Sequence, residues 1–475
     1  MNEKLLHFQN HIKGKTVTVV GLGISNVPVI DFLLDAGAIV TGRDKKTEDA
    51  LGDTASALKA KGVSLILGDD YLEGITEDYI FKAPGIRGDL PQFQRAVARG
   101  TVLTSEMEVF FELCPAHLFA VTGSDGKTTT TTLIYTLLSE AQKNADKPRC
   151  VFVGGNIGAP LLPRVAEMQE DDIAVLELSS FQLQAMQASP HVACVTNVTP
   201  NHLNWHIDMN EYVEAKKTVY RHQTKLDRLV LNYENDLTRA MKDEAMGHVT
   251  FFSSKRELDP TVCGADAVIF EKDGEIVMLC DGEDTPFPIL RTEDIRIPGR
   301  HNVENYMTAI AAVRGFVDID TIVHVAKTFA GVAHRQEFVC EKGGVKYYNS
   351  SIDSSPTRTI AALHAFKEKL IVILGGYDKN IPFEPLCEPL AAHAKAVILT
   401  GAAMPKLYEA LHKTLQDASI PLVCEPDFYR AIDAARAQAR SGDTVILSPA
   451  CASFDAFANF EVRGNAFKEY VGKFQ

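Results

Sequence analysis

The chain has 475 residues and a formal net charge of −14, with 48 lysine and arginine residues against 62 aspartate and glutamate residues. This length predicts about three domains, and the acidic balance argues against a nucleic-acid-binding surface. No apolar run approaches the roughly 20 residues of a membrane helix, and the start MNEKLLHFQNHIKGK lacks a signal-peptide pattern. The nine cysteines are scattered without metal-ligand spacing, and Cys194, Cys280 and Cys424 have apolar surroundings. This usage predicts reduced thiols in a cytoplasmic enzyme.

An alternating strand–helix–strand pattern opens the chain. A β-branched run at residues 15–20 predicts a strand that ends in the turn GLGISN, followed by a helix at residues 27–36 and a strand at residues 38–41. Asp44 then lies about twenty positions after the glycines, where a carboxylate suits a ribose hydroxyl. Asn26 stands where the dinucleotide fingerprint has its third glycine. A nucleotide or nucleotide-sugar site, an NAD site and a purely structural turn therefore all remain open.

The alternation continues and predicts a first domain with a Rossmann-like fold. Strands are predicted at residues 63–67, 78–82 and 102–103, and helices at residues 90–99 and 106–114. We place the first domain boundary near residues 104–105.

The stretch LFAVTGSDGKTTTTTL contains the clearest functional motif. Its start predicts a buried strand at residues 118–121, and the glycines that follow let backbone N–H groups converge on an anion. A helix comes next and presents its positive N-terminal end to the same point. Lys127 is expected to reach the terminal phosphates of ATP, and the Thr128 hydroxyl to hold Mg²⁺. Counted from Gly123, two residues separate the glycines where the general Walker A pattern has four, yet all its parts stand in the required order.

Polar groups follow the next predicted strands. Glu177 ends one of them, and an acid at the carboxyl end of a parallel strand beside a phosphate loop commonly holds Mg²⁺. The strand predicted at residues 192–198 runs into TPNHLNWH, whose proline favours a loop and argues against a zinc pair of His202 and His206. Lys216 lies on a predicted helix, where periodicity alone indicates a solvent-facing lysine.

The rest of the chain predicts a hairpin, a helix and a third α/β domain. Asp273-Gly274 between two apolar runs is a hairpin signal, and RHNVEN at residues 300–305 begins an apolar helix with polar groups that are either caps or ligands. The second boundary is placed near residues 331–333. Beyond it, strands are predicted at residues 337–341, 345–349, 370–374, 396–400, 422–424 and 444–447. Because ligands of open α/β sheets bind at the carboxyl ends of strands, this domain is predicted to bind one as well.

In this order the motifs resemble the Mur ligase family over nearly the whole chain. The strongest stretches are TGSDGKTTT, GGNIG, ELSSFQL, NVTPNHL, HNVEN, HRQE, GGYDK and LSPACASFDAFANFEVRGNAF. ELSSFQL and LSPACASFD are similar to the D-glutamate-adding members in particular. The resemblance implies an α/β fold of three domains: a Rossmann-like UDP-binding domain (1–105), a central P-loop ATP-binding domain (106–331) and a C-terminal Rossmann-like domain (332–475) for the amino acid and ATP.

The resemblance also implies an activity and its residues. The activity is that of an ATP-dependent amide ligase of cytoplasmic peptidoglycan precursor synthesis, a monomer that acts on UDP-N-acetylmuramoyl-L-alanine and D-glutamate with two Mg²⁺ ions. The residues implied for ATP are Gly123, Ser124, Asp125, Gly126, Lys127, Thr128, Thr129, Asn302 and Arg335. Those implied for the two substrates are Gly23, Ile24, Ser25, Asp44, Asn156, Lys379, Ser453 and Phe460. The implied metal ligands are Thr128, Glu177, His202 and a carbamylated Lys216, and the implied catalytic residues are Lys127, His202 and Lys216.

The chain departs from the family pattern at three places. Asp125 stands where the loop usually has Asn, and Asn204 stands where an Asp is common. The segment NSSIDS at residues 349–354 replaces an N-D-S-K-type segment, so that Ser350 and Ile352 take the places of the usual Asp and Lys. These departures leave open the nucleotide affinity and the way in which D-glutamate is recognised.

Three other functions stand beside this interpretation. A sibling Mur or folylpolyglutamate-type ligase would add a different amino acid, and a nucleotide-binding regulator would bind ATP with weak catalysis. An NAD oxidoreductase is disfavoured, because the dinucleotide fingerprint is broken and the phosphate loop would have no role.

Overall fold

The computed structural model describes residues 2–23, 25–143, 145–201, 205–379 and 381–474. Three sheets alternate with helices, which confirms the predicted α/β class. The chain divides into two compact units, Met1–Leu290 with Glu304–Val323 and Arg291–Val303 with His324–Gln475. Within the described ranges, no helix has both the length and the apolarity needed to cross a membrane.

The first sheet has five parallel strands in the order β3-β2-β1-β4-β5. Its elements are α1 (Glu3–Ile12), β1 (Thr16–Val20), α2 (Val27–Asp35), β2 (Ile39–Asp44), α3 (Glu48–Leu51), α4 (Asp53–Ala60), β3 (Ser64–Leu67), β4 (Tyr79–Lys82), α5 (Pro91–Val97) and β5 (Val102–Thr104). The strand order reverses between β1 and β4. Loops that leave these two strands part in opposite directions there, which opens a crevice at their carboxyl ends.

The second sheet has nine strands in the order β14-β13-β12-β11-β10-β9-β6-β8-β7. Its elements are α6 (Glu106–Leu113), β6 (His117–Thr122), α7 (Lys127–Gln142), β7 (Val151–Gly155), β8 (Ile173–Glu177), α8 (Ser180–Leu183), β9 (Val192–Val195), α9 (Met209–Arg221), β10 (Arg228–Asn232), α10 (Asp236–Ala240), β11 (His248–Ser253), α11 (Pro260–Cys263), β12 (Ala267–Lys272), β13 (Glu275–Cys280), β14 (Phe287–Arg291) and α12 (Arg300–Val313). The predicted hairpin joins β12 to β13 through Asp273 and Gly274, both with positive φ. Strands β10, β11 and β14 were not predicted.

The third sheet has six strands in the order β15-β16-β20-β17-β18-β19, parallel except for the β15–β16 pair. Its elements are α13 (Ile319–Thr328), β15 (Glu337–Lys342), β16 (Val345–Asn349), α14 (Pro356–His364), β17 (Leu370–Gly375), α15 (Cys387–His393), β18 (Ala394–Thr400), α16 (Met404–Asp417), β19 (Leu422–Cys424), α17 (Phe428–Gln438), β20 (Thr444–Leu447) and α18 (Phe460–Gly472). All six predicted strands of this region are present.

The apolar cores follow the same division. One continuous core joins both sheets of the first unit, from Val19 and Phe81 in the first sheet to Phe110 and Leu176 in the second. The third sheet has a separate core on each face. All nine cysteines are free, and Cys194 is buried as predicted. The prediction was wrong for Cys424, which is exposed because it ends the edge strand β19.

Candidate active site at the phosphate loop

The loop between β6 and α7 has the backbone shape that its glycines predict. Gly123 has φ +147° and Gly126, the residue before α7, has φ +81°. A Cβ on Gly123 would lie 2.0 Å from Thr196 Oγ1, and one on Gly126 would lie 2.6 Å from Asn305 Oδ1. Both positions therefore require glycine for conformation and for space.

The neighbouring strand β9 fixes this loop. The Asn197 carbonyl accepts from Ser124 N and its side-chain Oδ1 from Asp125 N, both at 2.9 Å. The Thr196 hydroxyl donates to the Asp125 carbonyl at 2.6 Å. Sequence reasoning did not single out Thr196 or Asn197, although they directly follow a strand that lies beside β6. The loop is thus held in shape by the sheet itself.

Lys127 begins α7 and bends back over the loop. Its Nζ donates to the carbonyls of Gly123 and Ser124 at 2.9 and 3.0 Å. Thr128 in the same first turn is half-buried and Thr129 is buried. Lysine, threonine hydroxyl and helix N-terminus therefore meet at one point, where an anion such as a nucleotide phosphate is stabilised.

Lys216 of α9 lies against the same loop. Its ammonium is 1% exposed, donates to the Gly123 carbonyl at 2.7 Å and lies 4.6 Å from the centre of the Tyr212 ring. Burial, then the nearby Lys127 charge, lowers the pKa of Lys216 well below its usual value, while Asp125 acts in the opposite direction. A buried amine with a lowered pKa is a reactive group and not a solvated one.

The helical periodicity around Lys216 therefore gave the wrong orientation. The adjacent Lys217 does occupy the solvent-facing side, where it pairs with Glu214 at 3.0 Å and Glu244 at 2.6 Å. Of two consecutive lysines, the sequence pattern could not tell which one faces the sheet.

Glu177 ends β8, between β6 and β7, and is 2% exposed. Its Oε1 accepts from Asn156 Nδ2 at 2.8 Å, and its carbonyl accepts from Asn156 N at 2.8 Å. Its Oε2 is buried and has no hydrogen-bond partner among the described residues. A buried carboxylate oxygen without a donor fits a cation.

Metal binding here would depend on oxygen donors. Within the described residues, no group of three or more His, Cys, Asp or Glu side chains is arranged to hold a metal ion. The Glu177 carboxylate and the Thr128 hydroxyl are the kind of oxygen ligand that Mg²⁺ prefers, with water and phosphate completing the shell. His202 and Asn204, named from the sequence, lie outside the described residues.

The segment around Trp205 joins the second sheet to the first. Arg87 bonds to Glu211 at 2.8 Å and to the Trp205 carbonyl at 2.9 Å, and the Trp205 indole donates to the Gly85 carbonyl. The buried His206 ring shares a hydrogen bond with the Ser180 hydroxyl at 2.9 Å. His206 therefore helps to hold this junction, as its predicted loop position allows.

In the first sheet, Gly23, Ser25 and Asp44 lie together at the carboxyl ends of β1 and β2, and Ile24 lies outside the described residues. The Asp44 carboxylate accepts from Leu22 N at 2.7 Å and from Lys46 N at 2.8 Å. The carboxylate therefore shapes the turn after β1.

Asn26 explains the missing third glycine of that turn. Its amide is 1% exposed and donates to the Val20 carbonyl at 3.1 Å, so the side chain ties the turn to the end of β1. A side-chain hydrogen bond thus stabilises the turn. It comes from the position at which the dinucleotide fingerprint has glycine, which has no side chain.

In the second unit, the loops after β17 and β20 carry Lys379 and Ser453, and α18 begins at Phe460. The first two loops are joined by the Tyr377 N–H, which donates to the Ala452 carbonyl at 2.9 Å. Lys379 is exposed and Ser453 is buried. The Phe460 carbonyl accepts from the Ser351 hydroxyl at 2.8 Å. The structure thus gathers these sequence-predicted residues at the carboxyl edge of the third sheet.

Arg463, which sequence reasoning missed, connects these loops. Its guanidinium is buried and donates to the carbonyls of Ala452, Cys451 and Ser351 at 2.9–3.1 Å, and to the Ser351 hydroxyl at 3.0 Å. Burial lowers the pKa of Arg463 to about 10. A charged residue within a helix usually indicates a solvated face, so no local pattern predicts this contact.

The HRQE segment precedes β15 in a strained conformation. His334 and Gln336, on either side of Arg335, have φ of +63° and +45°. The His334 N–H donates to Glu337 at 2.8 Å, and the Asn349 amide reaches both Glu337 and the His334 ring at 3.0 Å. Strain held in place by such contacts is typical of functional segments. Asn302, also in this unit, donates to the Pro298 carbonyl.

Asp353 supplies a carboxylate beside Ser350, where the family pattern has its Asp. Its side chain is 5% exposed and accepts from the Ser448 hydroxyl at 2.8 Å. Burial raises the pKa of Asp353 to about 6, against the opposing effects of hydrogen bonds from Ser350 and Ser448 and of the Arg335 and Arg358 charges. The departure at position 350 therefore does not remove the acid from this edge of the sheet.

Comparison with known proteins identifies relatives over the whole length. The family model of the Mur ligase middle domain matches residues 121–313, and that of the Mur ligase glutamate ligase domain matches residues 334–451. A UDP-N-acetylmuramoylalanine--D-glutamate ligase of Acetivibrio thermocellus is 48% identical over 480 residues, 100% of each chain. The ligase of the same name from Clostridium novyi is 48% identical over 475 residues, 99% of each chain.

Solved structures of lower identity share the fold. The UDP-N-acetylmuramate-alanine ligase MurC of Thermotoga maritima aligns with a TM-score of 0.57 at 17% identity, over 96% of this chain and 99% of that one. MurF of Acinetobacter baumannii aligns with a TM-score of 0.56 at 16% identity, over 98% of this chain and 92% of that one. At such identities the likeness concerns the arrangement of sheets and helices alone.

Proposed function

The chain belongs to the Mur ligase family, and on that premise we propose that it is an ATP-dependent ligase that joins D-glutamate to UDP-N-acetylmuramoyl-L-alanine. The observation that carries this proposal is its 48% identity, over full length, to ligases of that name. The meeting of the phosphate loop, Glu177 and Lys216 at one edge of the second sheet supports the ATP-dependent part.

The proposed reaction has two steps. The carboxylate of UDP-N-acetylmuramoyl-L-alanine attacks the γ-phosphorus of ATP, which forms an acyl phosphate and releases ADP. The amine of D-glutamate then attacks the acyl carbon, expels phosphate and loses a proton to give the amide. Phosphoryl transfer between anions depends on positioning and charge neutralisation. Lys127 and the N-terminus of α7 supply positive charge here, and Lys127 exchanges the carbonyls of Gly123 and Ser124 for phosphate oxygens.

Mg²⁺ fits the donor set at this edge. Thr128 and the unpartnered Oε2 of Glu177 would hold the cation, with Asn156 fixing the other carboxylate oxygen. When bound, Mg²⁺ neutralises phosphate charge. A second ion is part of the proposal, with His202 and a carbamylated Lys216 among its ligands. Carbamylation joins the neutral Lys216 amine to the carbon of CO₂ with loss of a proton, and burial of this amine supports it.

The proposal assigns the remaining residues by sheet. The UDP moiety is assigned to Gly23, Ile24, Ser25 and Asp44 of a domain at residues 1–105. ATP is assigned to residues 123–129 of a domain at residues 106–331, together with Asn302 and Arg335. D-Glutamate is assigned to Lys379, Ser453 and Phe460 of a domain at residues 332–475. The described carboxyl ends of β1, β2, β6, β17 and β20 lead into Gly23, Asp44, residues 123–129, Lys379 and Ser453, and α/β proteins bind ligands at such strand ends. The enzyme is proposed to be a cytoplasmic monomer.

The test is ADP release with UDP-N-acetylmuramoyl-L-alanine, ATP and Mg²⁺ across a panel of amino acids. Turnover with D-glutamate, and none with L-glutamate, L-lysine, diaminopimelate or buffer alone, is the expected result. Turnover with another member of the panel would instead make the chain a sibling ligase. ATP binding without turnover in any mixture would overturn the ligase assignment in favour of a nucleotide-binding regulator.

A further inference from the structure

A cleft lies where the strand order of the first sheet reverses. It lies between the ends of β1 and β4 and the GGNIG turn after β7, and its space is about 480 Å³ when the open solvent at its mouth is counted. Its lining includes Ser25, Lys82, Pro84, Ser105, Gly155 and Gln182. The cleft therefore runs from the turn assigned to the UDP moiety toward Asn156, the neighbour of Glu177.

Lys82, the last residue of β4, lines this cleft and is 3% exposed. Its aliphatic stem packs beside Gly88, with Cε 3.5 Å from the position of a Cβ there. Its ammonium has no hydrogen bond or ion pair with any of the described residues. Burial lowers the pKa of Lys82, and Glu108 is the charge that opposes this.

Glu106 also lines the cleft, and Glu108 acts electrostatically on Lys82, but the hydrogen bonds of both acids go to other groups. Glu108 accepts from the Ser105 hydroxyl at 2.7 Å. Glu106 accepts from Leu161 N at 3.2 Å and from Leu162 N at 3.0 Å. Burial of an ammonium without a hydrogen-bonded acid costs free energy unless an anion from solution binds to it and neutralises its charge.

The same place offers further positive potential. Helix α2, nine residues long, begins at Val27 two positions after Ser25, so its N-terminus faces the end of β1. Helix N-termini stabilise phosphates through their free N–H groups and their dipole. Ligands of open α/β sheets lie at such a reversal of strand order. A diphosphate has the charge and the length to contact both the helix N-terminus and an ammonium at the end of β4.

We propose that Lys82 binds the diphosphate of the nucleotide-sugar substrate and fixes the position of that substrate between the first and second sheets. This inference rests on the proposed function, which supplies the diphosphate. It adds a positioning residue that the sequence motifs did not indicate. Lys82 ends a strand of the first sheet, whereas the phosphate loop follows β6 of the second, so its proposed contribution belongs to binding and not to the chemical step.

The test compares ligands that differ in phosphate content. Affinities of UDP and uridine are measured by calorimetry for the wild type, Lys82→Met and Lys82→Arg. Lys61→Met is the control, because Lys61 is an exposed lysine at the end of α4 that pairs with Asp31. Loss of a charge-assisted hydrogen bond predicts about 10- to 100-fold weaker UDP binding by Lys82→Met. Uridine binding is expected to stay the same, and Lys82→Arg to keep most of the UDP affinity.

Steady-state kinetics separates this inference from the proposed function. Lys82→Met is expected to raise KM for the nucleotide-sugar by a similar factor while kcat and KM for ATP stay within about twofold. Equal weakening of UDP and uridine, or unchanged UDP binding, would overturn the role of Lys82 even if the wild type is an active ligase. Wild-type turnover with another amino acid would contradict only the proposal that D-glutamate is the substrate. The difference in affinity between UDP and uridine would still test the role of Lys82. If Lys82→Met fails to fold, Lys82→Gln and Lys82→Arg are compared with the same two ligands.

Discussion

Three buried ionisable groups of this chain are not explained by the packing of its apolar cores. Lys216, Glu177 and Asp353 are each at most 5% exposed, and each lies at the carboxyl edge of a sheet or on the helix beside it. Apolar residues of similar size would pack at these positions without the desolvation cost of a charge. Buried ionisable groups in such positions are candidates for function, and each one can be tested.

Replacement of Lys216 by Ala is expected to lower ADP formation by at least about 100-fold if a carbamate at this position neutralises charge. Lys217→Ala is the matched control, because it changes the adjacent lysine of the same helix, which pairs with Glu214 and Glu244 at the surface. Formate or acetate is expected to restore part of the activity of Lys216→Ala by occupying the space of the missing carbamate. Full activity without rescue would contradict the carbamate role.

Asp353 predicts a pH-dependent stability. Burial raises the pKa of Asp353 in the folded chain to about 6 from its ordinary value of 3.8, so the folded chain keeps this proton to higher pH than the unfolded chain. The associated stabilisation is complete below about pH 4 and is lost as the pH rises through 6. Because one pKa unit corresponds to about 1.4 kcal/mol, ionisation of Asp353 lowers the free energy of unfolding by up to about 3 kcal/mol at neutral pH.

Asp353→Asn removes this ionisation and keeps an oxygen for the Ser448 hydroxyl. Its gain in free energy of unfolding over the wild type is expected to be about 2 kcal/mol larger at pH 8 than at pH 4.5. Urea denaturation at the two pH values measures this difference, with Asp417→Asn on the exposed side of α16 as control. A gain of equal size at both pH values would show that the Asp353 carboxylate does not titrate in this range.

At the scale of elements, the phosphate loop depends on the strand beside it. Gly123→Ala would place a Cβ 2.0 Å from Thr196 Oγ1 and 3.1 Å from the Asn197 carbonyl, at a φ that L side chains rarely adopt. The loop must move away from β9, and we expect at least about 30-fold weaker ATP binding from the loss of convergent N–H groups.

Gly62→Ala is the control for this change, because Gly62 also has a positive φ, +83°, but a Cβ there meets nothing within 4 Å. It is expected to cost about 1 kcal/mol of stability and to leave ATP affinity unchanged. Calorimetric titration with ATP and a thermal melt of both variants separate lost binding from lost folding. Equal ATP affinities in the two variants would show that contact with β9 does not shape the loop.

The elements that the sequence predicted well are those with local signals. Apolar runs that end in glycine predicted β1 and β6, the apolar run before Glu177 predicted β8, and Asp273-Gly274 predicted the β12–β13 hairpin. Strands β10 and β11 have readable apolar runs, RLVLN and HVTFFS, that were not used. The contacts of Thr196, Asn197 and Arg463 had no local signal, since they depend on which strands become neighbours. Lys216 was misjudged because periodicity assumes that lysines face water.

At the scale of the molecule, the apolar clusters described on the two faces of the third sheet share no residue with the cluster that joins the first two sheets. Separate cores of this size usually unfold as separate cooperative units. The first two sheets share one continuous core and are therefore expected to melt together, although the sequence predicted separate domains for them. A ligand should then shift the unfolding transition of the unit to which it binds, and a substitution that of the unit in which it lies.

Arg463→Lys tests this division. Lysine lacks the guanidinium fork that donates to the carbonyls of Ala452, Cys451 and Ser351, so buried acceptors lose their donor at a cost of about 2–4 kcal/mol. Scanning calorimetry is expected to show two transitions in the wild type, and only one of them should fall in the variant, by roughly 5–10 °C. Arg430→Lys, at an exposed position of α17 in the same unit, is the control. A single transition that shifts as a whole in Arg463→Lys would mean that the two cores unfold as one.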